Sequence, residues 1–330
     1  MISPDNFIYL PYTDDLTRAG IAYACKRIPF LNSLEENDPI KKVRQFVADT
    51  SVELALQRYL NNENIPHNHL PTKHFSDPEH LTLIIGGRRC VICNTNISNK
   101  KMITQIRKNY KILLRHPAKV SENQIRHQQL NQDDIFIFTI LECLITTSRE
   151  ACLQALKAKQ PIYQIVLLPS PWSRATTWSS LGNLFCQYQY EEDLRLEIGG
   201  TDAKRRYLTE IVDIKSGEKA QCRKDFYNIH YLVTTSIPDG EIYLTSSALK
   251  RTITTLPHDW TNIWLYGLKI LLVGYITFGK FIDQAKIRRY GRSNINSQPT
   301  LERYFSRPIS HLSPLKNLFQ QAKAWNRSCI

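Results

Sequence analysis

The sequence predicts an α/β domain over residues 1–168, a turn-rich linker at 169–182, a smaller, mostly antiparallel β domain at 183–285, and a basic tail with a terminal helix at 286–330. Three observations carry this expectation. Helical and strand periodicities alternate as far as Leu168. After "PSPWSRATTWSSLG" the chain turns to short strands punctuated by Gly, Pro and Asp. Positive charge is gathered into two segments instead of being spread. A chain of 330 residues is long enough for two separate cores.

Asp38-Pro39 starts the first helix, with Asp as N-cap and Pro in the first turn, and Val43, Phe46 and Val47 follow at helical spacing. A second helix is expected from Thr50, carrying Leu54, Leu56, Tyr59 and Leu60. "NNENIPHNHLP" reads as a loop, with His67 and His69 solvated in it. "LTLIIGGRRCVICN" (81–94) is a β-hairpin turning at Gly86-Gly87. An amphipathic helix over 98–115 follows, with Met102, Ile103, Ile106, Tyr110, Leu113 and Leu114 on one stripe. "IFIFTILECLI" is a buried strand, 148–159 a helix and 161–169 another strand. In the second half, "DLRLEIGG", "YLTEIVDIKSG", "DFYNIHYLVTT" and "GEIYLTSSAL" are strands, closed by the apolar stretch 260–282. Ser313 and Pro314 open a last helix with Leu315, Leu318, Phe319 and Ala322 on its apolar stripe.

Composition narrows the class. Hydrophobic content of 42% and charged content of 22% are ordinary for a globular protein. The first 30 residues lack the basic start and apolar run of a secretory signal, and 260–282 contains Lys269 and is too short for a comfortable membrane span. Eight cysteines without framework spacing fit free thiols in a reducing cytoplasm. No Walker loop is present. Net charge is +13. Residues 98–130 hold Lys100, Lys101, Arg107, Lys108, Lys111, Arg115, Lys119 and Arg126 against Glu122, a net +7. Residues 284–330 hold Lys286, Arg288, Arg289, Arg292, Arg303, Arg307, Lys316, Lys323 and Arg327 against Glu302, a net +8. Two basic segments on a near-neutral body point to a polyanion, most simply DNA or RNA.

The hairpin raises the question of chemistry. A turn at Gly86-Gly87 pairs residues whose numbers sum to 173, placing Thr82 opposite Val91, with Cys93 on the same face. The helix, hairpin, helix, strand order and this hairpin resemble the PD-(D/E)XK nuclease superfamily over roughly residues 38–168. The resemblance implies a Mg²⁺ site built from an acid on one strand and an acid-x-lysine on the next, with the lysine steadying the attacking water. It implies that Glu53 is the acid of the first helix, Thr82 stands at the first strand acid, Val91 at the second, and Cys93 at the lysine. A hydroxyl, an isopropyl group and a thiol cannot replace them, so metal-dependent cleavage is expected to be lost. Glu53 also fits a capping box with Thr50, and that reading stays open. Asp77 and Glu79 offer acids in a shifted register.

Cys90-x-x-Cys93 invites a zinc reading, but buried structural thiols fit better, because a three-residue offset in a strand points the sulfurs to opposite faces and no second pair completes the ligands. In the second half, Asp213-Ile-Lys215 forms an acid-x-lysine on one strand, with Glu197 or Asp193 upstream, as a competing endonuclease site. The sequence therefore leaves three classes: a nucleic-acid-binding protein on a nuclease-like domain, a subunit of a defence, mobile-element or nucleic-acid-processing assembly; an active Mg²⁺-dependent endonuclease; and a scaffold for an acidic protein. The expected nucleic-acid contacts are Lys100, Lys101, Arg107, Lys108, Lys111, Lys286, Arg288, Arg289 and Arg292.

Overall fold

A computed structural model describes residues 2–30, 38–69, 82–127, 129–174, 177–289 and 303–328. In chain order the first elements are β1 (Ile8–Leu10), α1 (Asp14–Arg27), α2 (Pro39–Asn62), β2 (His67–His69), β3 (Thr82–Ile85), β4 (Arg88–Ile97), α3 (Lys100–Lys108), α4 (Lys111–Leu114), β5 (Pro117–Ser121), α5 (Glu122–His127) and β6 (Ile135–Ile145). Then come α6 (Arg149–Lys157), β7 (Gln164–Leu167), α7 (Ser170–Ser173), β8 (Leu184–Gln189), β9 (Leu194–Thr201), β10 (Tyr207–Ile214), β11 (Lys219–Gln221), β12 (Asn228–Thr234), β13 (Glu241–Ser246), β14 (Arg251–Thr255) and β15 (Thr261–Asn262). The last are β16 (Leu265–Thr277), α8 (Phe278–Gln284), β17 (Lys286–Arg289), β18 (Arg303–Pro308) and α9 (Leu315–Ser328). The mixed α/β character is as expected.

The chain divides into two units, but not at 169–182. Unit 1 comprises residues 1–20, 45–144 and 265–330; unit 2 comprises 21–44 and 145–264. The expected boundary fails because β7, read as the last strand of the first domain, pairs with β12 and β15 in a sheet of unit 2. The apolar stretch 260–282 fails in the opposite sense. Its β16 lies in the unit 1 sheet, ordered β1-β16-β6-β4-β3-β2. Strand pattern tells that a segment is buried, not which sheet it joins.

In unit 1 the hairpin forms as read: Thr82 pairs with Val91 and Leu83 with Cys90. Gly86 and Gly87 both have positive φ, 57° and 73°, the geometry a two-residue turn between twisted strands requires. A Cβ on Gly86 would also meet Ala322 of α9 at about 3 Å. β4 runs parallel to β6, as the intervening α3 allows. Asn99 caps α3, accepting from the Met102 N–H at 3.0 Å. The helix expected over 98–115 breaks at Asn109, whose side chain accepts from the Lys111 N–H.

Two further expectations are corrected here. The helices read as separate at 38 and 50 are one, α2, of 24 residues. Thr50 and Glu53 lie in its interior, so the capping-box reading of Glu53 is excluded. The basic segment 286–330 is not a tail: β17 pairs with β18, which pairs with β5. Pro308 to Pro117 and Phe305 to Val120 are among the partners. β18, α9 and the turn between them supply Phe305, Leu312, Leu315, Leu318 and Phe319 to apolar packing.

Unit 2 holds a five-stranded sheet, β10-β9-β12-β7-β15, and a four-stranded one, β11-β8-β13-β14, with Leu196, Ile198, Cys186, Leu244 and Phe226 in one buried cluster. The buried Glu210 carboxylate accepts two backbone N–H groups, from Arg223 and Lys224, both at 2.7 Å, and so anchors the segment after β11.

Candidate functional site

The hairpin register is as predicted, yet the face it selects is not the face of Glu53. Val91 and Cys93 are buried in a core formed with Ile103, Ile106 and Leu113 of α3 and α4 and Phe136 and Phe138 of β6. Burial raises the Cys93 thiol far above its usual range and pushes Cys90 up to about 12, so both remain neutral thiols. Cys90 and Cys93 are free, as are the other described cysteines.

The opposite face of β4, apolar at Cys90 and Ile92, turns polar at Asn94 and Asn96. It meets a stripe on α2 at four-residue spacing, Gln45, Asp49, Glu53 and Gln57. Gln45 donates to Asp49 at 2.7 Å, and Asn94 of β4 donates to the same carboxylate oxygen at 3.1 Å. Asn94 also bonds Asn96 at 2.9 Å, and Asn96 returns a bond to Gln45 at 2.9 Å. Thr139 of β6 donates to the Asn94 carbonyl at 3.1 Å. Gln57 donates to Glu53 at 3.0 Å. Glu53 is 6% exposed. Its carboxyl is pushed up to about 7, first by burial and then, against the Gln57 hydrogen bond, by Asp49.

His67 and His69 belong to β2, not to a loop. His69 Nδ1 lies 3.9 Å from Glu53, and burial, then His67, lowers its pKa. Asp77 and Glu79 lie outside the described residues, and the side chain of Thr82 is not described.

These residues do not suit Mg²⁺. Two carboxylates of the α2 stripe face amides, and the strand positions that would complete a site are asparagines or apolar groups. Among the described residues no three His, Cys, Asp or Glu side chains are grouped to hold a metal ion. Sequence reasoning found Glu53 but missed Gln45, Asp49, Asn94, Asn96 and Thr139. The uncharged-or-acidic polar residues at four-residue spacing on α2 and the Asn-x-Asn in an otherwise apolar strand were the available signals.

The second candidate is dispersed. Asp213 is exposed and lies 3.9 Å from Arg195 across the β9–β10 ladder. Lys215 pairs with Asp193, which lowers the carboxyl and raises the amine. Glu197 is partly buried, its carboxyl raised by burial against a hydrogen bond to Tyr231.

The basic segments converge. Lys100, Lys101, Lys108 and Lys111 are exposed along α3 and α4. β5, β18 and β17 form a sheet whose Ala118, Val120 and Phe305 pack into the same core as Ile103 and Ile106. That sheet carries Lys119, whose ammonium lies 5.0 Å from the Tyr304 ring, together with exposed Arg303 and Lys286. Arg288 and Arg289 pair through their backbones with Tyr304 and Arg303; their side chains are not described, and Arg292 lies outside the described residues. Arg107 is different. Its Nε bonds Glu142 at 2.8 Å, and Glu142 is wholly buried. Its charge is committed to the fold. Arg307 is also inward, bonding Gln284 at 2.8 Å.

No protein-family model matches the chain, and no curated protein or solved structure matches it. No helix among the described residues is long and apolar enough to cross a membrane.

Proposed function

We propose that unit 1 is a nuclease-like domain that binds nucleic acid and has lost metal-dependent cleavage, acting within a larger defence, mobile-element or nucleic-acid-processing assembly. The observation that carries this is the convergence of two basic segments, more than 150 residues apart in sequence, on one sheet and the helices that share its core. Lys100, Lys101, Lys108, Lys111, Lys119, Lys286 and Arg303 supply cations there. Contacts of this kind neutralise phosphates and carry little sequence information. The order α2, β2, β3, β4, α3, β6, with β4 parallel to β6, supports the nuclease-like reading. The amide-rich polar face supports loss of cleavage, since Asn94 and Asn96 add no charge that would attract Mg²⁺.

The test is a salt series with labelled duplex and single strands, followed by Mg²⁺ or Mn²⁺ on plasmid. Tight binding at low salt and no cleavage are expected, and Lys108→Glu with Lys111→Glu and Lys286→Glu should flatten the salt dependence. Absence of binding at low salt favours the scaffold for an acidic protein. Cleavage lost in Asp77→Ala or Glu79→Ala, or in Asp213→Ala, favours the endonuclease and says which half holds it.

A further inference from the structure

Beside the end of α3, Tyr9 of β1 and Tyr110 lie with ring centroids 5.3 Å apart and planes at 71°. The ammonium of Lys269, on β16, sits 5.1 Å from the Tyr9 centroid and 5.9 Å from that of Tyr110, and donates to the Tyr110 hydroxyl at 3.4 Å. Tyr9 is 41% exposed, on the edge strand of the six-stranded sheet.

From this geometry we infer that Tyr9, Tyr110 and Lys269 form a stacking step for an unpaired base of a single-stranded nucleic acid. The inference rests on the reading of unit 1 as a nucleic-acid-binding domain and names the strand form it takes. Three features carry it. A half-exposed ring on a sheet margin offers a π-face that a base inside a duplex cannot reach, so its partner must be unpaired. The Lys269 ammonium is held by two rings, and among the described residues no carboxylate pairs with it, in contrast to Arg107 on the neighbouring helix with Glu142. It is therefore a cation available to the phosphate next to a stacked base. Lys108 and Lys111 flank Tyr110 in sequence and are exposed, so backbone charge and base stacking have partners within a few residues. Asp5 and Glu142 are the acids whose charge acts on Tyr9, and Glu142 is paired with Arg107.

The experiment uses the full chain, a labelled oligothymidylate and a duplex of the same length, each over a salt series. Alanine at a stacking aromatic costs about 5- to 150-fold in single-strand affinity. Tyr9→Ala should therefore weaken single-strand binding by at least about fivefold with an unchanged salt slope and little effect on duplex, and Tyr9→Phe should restore it. Lys108→Gln with Lys111→Gln should instead flatten the slope, by about 0.7 per lost contact on single strands. In the wild-type protein, photocrosslinking of an iododeoxyuridine oligonucleotide should map by mass spectrometry to Tyr9 or Tyr110, which makes the test independent of how the variants fold. If Tyr9→Ala leaves single-strand affinity unchanged, or lowers single-strand and duplex affinity alike, or no crosslink falls on either tyrosine, the stacking step is wrong while nucleic-acid binding stands. If neither nucleic acid binds at low salt, both fall together.

Discussion

On the α3 side of the unit 1 sheet, Val91, Cys93, Phe136 and Phe138 pack on an amphipathic helix, and Arg107 pairs there with the buried Glu142. On the α2 side, the same two strands present Asn94, Asn96 and Thr139 to a helix that answers with Gln45, Asp49, Glu53 and Gln57. The first face is held by burial of apolar surface and is vulnerable at one ion pair. The second is a network of modest hydrogen bonds in which amides donate to the Asp49 and Glu53 carboxylates. The difference teaches where chemistry has room on this fold. A strand face filled with aromatic and aliphatic groups cannot host a hydrated cation, whatever its register. A face of amides retains the polarity of a site without the charge.

The largest effect expected from this contrast is at the ion pair. Arg107→Ala leaves a carboxylate buried without its partner, and the other Glu142 oxygen, Oε1, already has no hydrogen-bond partner among the described residues. Breaking a buried pair costs about 3–5 kcal/mol, and the 43% exposure of the Arg107 side chain puts this case at about 3 kcal/mol. Denaturant unfolding should show that loss, while Lys108→Ala, one residue on, should leave the midpoint nearly unmoved. Equal effects of the two would mean that the pair does not hold this face. The same reasoning separates Arg107 from the nucleic-acid contacts: its reversal to Glu should unfold before it reports on binding.

The α2 face should respond to pH. The Glu53 carboxyl is raised from the usual range to about 7, chiefly by burial. A raised carboxyl contributes its stability fully below the unfolded value near 4.5 and loses it as pH rises through about 7. Glu53→Gln removes the cost of the buried charge. It should stabilise the protein by roughly 2–3 kcal/mol at pH well above 7 and change little at pH 4. A variant with the same pH profile as wild type would show that Glu53 is charged and partnered in the folded protein, and would reopen a metal role for it. A smaller loss, about 1–2 kcal/mol, is expected for Asn94→Ala, which removes one hydrogen bond each from Asp49, Asn96 and Thr139 in a partly buried setting. If Asn94→Ala costs nothing, the network is ornamental and only the apolar face holds the sheet.

How much of this was legible in the sequence depended on the range of the interaction. The Gly86-Gly87 turn is local, and it set the register correctly down to Thr82 opposite Val91. The buried strand at 135–145 declared itself through Phe136, Ile137, Phe138 and Ile140. The break at Thr50 was misread because Thr50 and Glu53 match a cap locally, while the packing that carries α2 straight through is tertiary. The basic tail was misread because β18 finds its partner in β5, at Pro117–Ser121, far back along the chain. Likewise, nothing local in "PIYQIVLLP" says that β7 pairs with β12. The role of Arg107 was hidden for the same reason: Glu142 is 35 residues away, and a guanidinium on an outer helix face looks free until its carboxylate is found.

The smallest effect is expected where neither device is present. On the outer face of β9 and β10, Asp213 and Arg195 are each 68% exposed and 3.9 Å apart. Solvent screens such a pair, and holding two mobile side chains in one geometry offsets most of what their attraction supplies. Lys215, the other half of the acid-x-lysine pattern, is paired with Asp193 on a neighbouring turn. An acid and a lysine on one strand amount to a site only if they converge with a second acid on one point, and here the two charges are drawn to different partners. Asp213→Ala should therefore leave the thermal midpoint, duplex binding and its salt slope indistinguishable from wild type. A substantial loss of stability would show that the pair is shielded in solution. Loss of a metal-dependent cleavage seen in the wild-type protein would move the chemistry to unit 2 and leave the amide-rich face of unit 1 as structure alone.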